Sequence, residues 1–156
     1  MKKLLLLAAL GIILTNCSSK KATTEKASEP VVQYRDDFKS VSDKSKTTFL
    51  KGLKATEDQY SVILLTKGFM GEEVKVFNGE KVLYKGNPIS HLETGIAGYF
   101  RINNTITTKI TDKFSKKEAV IDSENAKKHK FIYVMKDNGL ENPYKITYSN
   151  TLRPLK

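Results

Sequence analysis

Beyond Tyr34 the chain runs in short stretches of β-branched and aromatic residues, cut at close intervals by Gly, Asn, Asp and Pro, and this rhythm restricts the fold more than any other feature. Residues 60–66 (YSVILLT) form a nearly continuous apolar run of strand length, which predicts a central strand covered on both faces. Residues 74–77 and 81–85 flank Asn78-Gly79-Glu80, and because an Asn-Gly pair readily takes positive φ angles, the spacing predicts a tight hairpin. Farther on, Phe100, Ile102, Ile106, Thr108 and Ile110 share one parity while Arg101, Asn103, Thr105, Thr107, Lys109 and Thr111 hold the other. That pattern predicts an amphipathic ribbon broken near Asn103-Asn104. Further strands are expected at 118–122, 130–136 and 144–148. Residues 40–57 place Phe49, Leu50 and Leu53 at helical spacing behind a cap at Ser42, with Gly52 inside, so a short helix and an irregular crossover both fit.

About seven or eight short strands at this spacing predict an all-β domain over 34–156, an antiparallel β-sandwich, with a small β-barrel as the alternative. The architecture resembles that of immunoglobulin-like domains. The chain has one cysteine and no tryptophan, so the cysteine pair and buried tryptophan of true immunoglobulin domains are missing, and the resemblance implies no function.

The N-terminus carries an address. Met1-Lys2-Lys3 is cationic, and residues 4–14 (LLLLAALGIIL) have no polar side chain before polarity returns at Thr15. An eleven-residue apolar helix rises about 16 Å, roughly half of a bilayer's hydrocarbon thickness, which suits a signal-peptide core better than a membrane span. Cys17 follows immediately in Leu14-Thr15-Asn16-Cys17, with Ser18-Ser19 behind it. This arrangement resembles the lipobox of bacterial lipoproteins; Asn16 stands where that pattern usually has Gly, Ala or Ser. The resemblance implies that 1–16 is removed, that Cys17 carries acyl groups, and that membrane lipid is a partner through this anchor. A serine after the cysteine further implies sorting to the outer membrane, facing the periplasm. Two acyl chains suffice for stable attachment. Residues 17–33 contain no aromatic side chain and only a final Val31-Val32 pair, which predicts a flexible tether spanning about 20–25 Å on average.

From Cys17 onward there are 25 Lys and Arg against 17 Asp and Glu. Lys113, Lys116, Lys117, Lys127, Lys128 and Lys130 gather within eighteen residues and form a candidate patch for an anionic ligand; a solvated, solubilising surface is the alternative. Lysine enrichment with three arginines, an export signal and no tryptophan argues against nucleic acid. Phe69 and Met70, between Gly68 and Gly71, form a candidate partner loop, with burial as the competing reading.

Catalytic and metal-binding patterns are weak. Ser90-His91 are neighbours, but successive side chains on extended backbone point to opposite faces. The pairs Asp36-Asp37, Glu57-Asp58 and Glu72-Glu73 read as solvated turn residues, the two histidines, His91 and His129, lack metal-ligand spacing, and no phosphate-binding glycine loop is present. The expectation is a membrane-anchored envelope lipoprotein without enzymatic activity, metal or cofactor other than the acyl groups on Cys17. Its role would be binding or assembly with another envelope protein; alternatives are a module for an acidic glycan or lipid, with tyrosines such as Tyr84, Tyr99, Tyr133, Tyr144 and Tyr148 as stacking surfaces, and a periplasmic enzyme inhibitor.

Overall fold

Period-two alternation on short strands builds two sheets facing one another, as a computed structural model covering residues 29–155 shows. The signal-like segment, Cys17 and the tether up to 28 lie outside the described residues. In chain order the elements are β1 (Val31–Tyr34), α1 (Asp43–Gly52), β2 (Tyr60–Leu65), β3 (Val74–Asn78), β4 (Lys81–Gly86), β5 (Gly98–Asn103), β6 (Thr108–Asp112), β7 (Glu118–Ile121), α2 (Ser123–Lys128), β8 (Phe131–Lys136) and β9 (Tyr144–Ser149). One sheet has the order β1-β9-β8-β2-β5 and the other β4-β3-β6-β7. The fold is a β-sandwich of two separate sheets, not a closed barrel.

The core lies between the sheets. Ile63, Leu65, Ile132, Val134 and Ile146 from the larger sheet meet Val74, Val76, Ile110 and Ile121 from the smaller one. A second cluster covers the outer face of the larger sheet, where Val62, Leu64, Phe131 and Tyr133 pack under Leu50 of α1, Ala55 and Leu152. Successive residues of β2 therefore serve different cores, which explains its unbroken apolar run. The Ser42 hydroxyl accepts from the Ser45 amide at 3.3 Å and caps α1, so the ambiguous segment is a helix.

Three features depart from the sequence reading. First, β1 takes residues from the expected tether: Val31 to Tyr34 pair with Lys145 to Tyr148, so the boundary at 33/34 falls inside a strand. Second, β1–β9 and β2–β8 are parallel pairs, so the sandwich is mixed and not wholly antiparallel. Parallel neighbours need long crossovers, and local alternation carries no trace of them. Third, the hairpin turn is Gly79-Glu80, with Asn78 opposite Lys81 and positive φ at Gly79. Glycine at the first central position makes this a II′-type turn. Asn78 is released for another task, bridging the sheets: its amide nitrogen donates to Asn103 O, Ile106 O and Thr108 Oγ1 at 2.9–3.1 Å, and its oxygen accepts from the Asn103 amide at 3.1 Å.

Candidate functional site

The registers place four connections at one end of the sandwich. β2, β8, β4 and β6 run toward it and β3, β5, β7 and β9 start from it, so the loops 66–73, 87–97, 113–117 and 137–143 lie together. β1, parallel to β9, also begins there. The opposite end holds the 79–80 and 104–107 turns, α2 and the segment carrying α1.

Beneath the loop end is a buried ionic cluster. Period-two alternation on β8 points Ile132, Val134 and Lys136 to one face, and on β6 it points Thr108, Ile110 and Asp112 inward. The two sheets thus each present one charged residue to the core. Lys136 Nζ lies 3.3 Å from Asp112 Oδ2 and hydrogen-bonds Glu72 Oε1 from the β2–β3 loop. Asp112 also accepts from Tyr144 OH at 2.8 Å, Ser115 Oγ at 2.6 Å, and the amides of Phe114 and Ser115 at 2.9 and 2.6 Å. Burial pushes the Asp112 carboxyl up, but the Ser115 and Tyr144 bonds and the Lys136 charge together hold it below the ordinary carboxylate range. Glu72 follows the same balance: burial opposes ionisation, whereas Lys136 and the Met70 amide, which donates to Glu72 Oε2 at 2.8 Å, outweigh it. Burial first, and the Asp112 bond and charge next, raise the Tyr144 hydroxyl well above its usual value. The cluster ties β8, β6, β9 and two loops together.

Adjacent residues at Phe69-Met70 part company, as extended backbone dictates. Phe69 enters the core at 1% exposure, so half of the candidate partner loop is structural; Met70 is 72% exposed. Ser90 Oγ donates to Thr66 O and accepts from the Phe69 amide, which pins this loop to the next and turns the Ser90 hydroxyl away from chemistry with His91. Gly68, at φ +89°, allows close approach: a Cβ there would sit 2.0 Å from Lys136 O.

Above the cluster, apolar side chains project outward. Met70, Ile89 (67%), Leu92 (fully exposed) and Phe114 (82%) are the four most exposed large apolar residues among those described, and all stand on loops at this end. Leu140 adds a fourth loop. A cleft of about 290 Å³ between Met70 and Phe114 is lined by these two, Gly71, Glu72, Lys136 and Asn138. Ile89, Leu92 and Phe114 were missed in the sequence because single apolar residues between turn formers carry no period.

The lysine-rich stretch is divided by β7. Lys113, Lys116 and Lys117 lie at the loop end, before that strand, whereas Lys127, Lys128 and Lys130 follow it at the opposite end. Four strand residues separate the groups by about 13 Å of backbone, so the six do not form one patch. Several are already engaged: Lys130 Nζ donates to Glu57 O and Tyr60 O at 2.8 Å, Lys127 pairs with Glu124, and Lys117 approaches Glu141 at 4.0 Å. Among the tyrosines, Tyr133, Tyr144 and Tyr148 are buried and Tyr99 is exposed. His129 hydrogen-bonds Asn125 O and packs against Tyr34 and Tyr148. Among the described residues, no group of three or more His, Cys, Asp or Glu could hold a metal ion, and no helix is long and apolar enough to cross a membrane.

No protein-family model matches this chain, and a search of curated proteins finds no match.

Proposed function

We propose that the protein is a membrane-anchored envelope lipoprotein whose sandwich works by binding and not by catalysis, and that the loop end is its binding surface. The observation that carries this reading is the grouping of Met70, Ile89, Leu92 and Phe114 on loops held in place by the buried ionic cluster and by the Ser90 bonds. Large apolar side chains left in water cost free energy, and their collection on one end favours a surface that is covered in use. The cluster below supports binding over chemistry, because each carboxylate oxygen of Asp112 and Glu72 already accepts a hydrogen bond within the fold. The anchor is the acylated Cys17, made the N-terminal residue by removal of 1–16, and by the lipobox pattern it holds the domain on the periplasmic side of the outer membrane.

Two measurements test this reading. Cys17→Ser should abolish acyl labelling in cells, and a persisting label refutes the anchor. A photo-crosslinking residue at Leu92 or Phe114 should give adducts in cells, whereas one at Glu80 or Thr105, at the opposite end, should not. Adducts from the opposite end alone would refute the loop end as the binding surface.

A further inference from the structure

We infer that the partner of the loop end is the lipid surface itself: the domain lies loop-end down on the bilayer that holds its acyl groups. The inference rests on the lipoprotein reading for the position of the anchor and names the partner of the surface described above. Three observations carry it.

The first is where the chain enters. β1 starts at the loop end, because Val31 is opposite Lys145 in a parallel pair and β9 starts there. Twelve residues separate Cys17 from Pro30, a length that reaches at most about 45 Å. Six-residue strands make the sandwich about 20 Å long, so along the chain the loop end lies about 20 Å closer to the anchor than the opposite end does.

The second is the form of the apolar surface. Met70, Ile89 and Leu92, Phe114 and Leu140 are carried by four different loops, and of these five side chains only Met70 and Phe114 line the cleft described above. A fluid interface accepts scattered projections, whereas a protein partner would need a matching relief. The third is charge. Lys113 and Lys116 flank Phe114 and are exposed. Most carboxylates at this end are engaged: Glu72 by Lys136, Glu73 by Lys75 and Lys85, and Glu141 by Lys117. The other charged residues on these loops are Lys67, Lys113 and Lys116 and, with opposite sign, Glu93 and Asp137, so attraction to anionic headgroups is modest and apolar insertion dominates.

The test uses the mature chain with Cys17→Ser, so that no acyl group contributes. The sequence has no tryptophan, and a single one can be placed as a reporter. Phe114→Trp and Leu92→Trp should be quenched by vesicles of phosphatidylethanolamine and phosphatidylglycerol carrying brominated acyl chains, while Val82→Trp, on β4 near the opposite end, should not. Replacing Met70, Ile89, Leu92 and Phe114 together by Ser should weaken vesicle partitioning about tenfold or more with little change in thermal stability. Absence of quenching at both loop positions, or equal quenching at Val82→Trp, overturns the inference. A single protein captured at Leu92 in cells, with no quenching in vesicles, would likewise overturn the lipid partner while leaving the loop end as the binding surface. Retention of the acyl label by Cys17→Ser is the separate failure that removes the anchor.

Discussion

Lys136, the last residue of β8, places its ammonium 3.3 Å from the carboxylate of Asp112, the last residue of β6, and so joins the two sheets through their shared core. Glu72 brings a second carboxylate to the same ammonium from the loop side, and Tyr144 and Ser115 donate to Asp112. A buried ion pair contributes little net stability over an apolar pair of the same shape, but breaking it from one side is costly.

Lys136→Met should therefore destabilise the domain by about 3 kcal/mol, since it leaves two carboxylates facing one another without a cation. Urea unfolding checks this, and a loss below about 1 kcal/mol would show that the cluster does not hold the sheets together.

Acid should act on the same residues. Asp112, Glu72 and Asp122 have carboxyls held below their ordinary values in the folded chain, so near those values the unfolded chain binds more protons. Their stabilisation is complete above about pH 5 and is lost as pH falls through and below about 4. Thermal melts between pH 7 and pH 3 should show a falling midpoint that flattens in Asp112→Asn; an equally steep fall in that variant would assign the acid sensitivity elsewhere.

Two glycines should respond in opposite directions. Gly68→Ala forces a Cβ against Lys136 O from a positive φ and should cost about 2–3 kcal/mol. Gly52→Ala, at the end of α1 with open space around it, should stabilise by about 0.5–1 kcal/mol through helix propensity. Equal responses in thermal melts would contradict the backbone path at 68.

Asn78→Ala should cost about 2–3 kcal/mol, because it strands the Asn103 amide and the Ile106 carbonyl and takes from the Asn103 carbonyl the shorter of its two bonds. Asn78→Asp, which replaces a donor by an acceptor facing Asn103 O and Ile106 O, should be at least as damaging. Denaturant midpoints for the two variants decide this.

Strands that bury one or both faces were legible in the sequence, and those held by distant backbone were not. β2 announced itself because both its faces are covered, and the hairpin of β3 and β4 because glycine sits in its turn. Three of the four residues of β1 fall in the expected tether: the strand is mostly exposed and owes its form to pairing with β9, more than a hundred residues on. α2 has six residues and buries only Ala126, too little for a helical period to emerge. The ionic cluster left one legible trace, a lysine and an aspartate at inward parity on otherwise apolar strand faces. Only the fold shows that they meet.

The most direct test is hydrogen–deuterium exchange of the acylated protein on membranes, compared with the Cys17→Ser chain in solution. Burial of the loop end should slow exchange in 66–73, 87–97, 113–117 and 137–143 and leave 79–80, 104–107 and 122–130 unchanged. Slowing confined to the opposite end, or none at the loop end, would contradict the account.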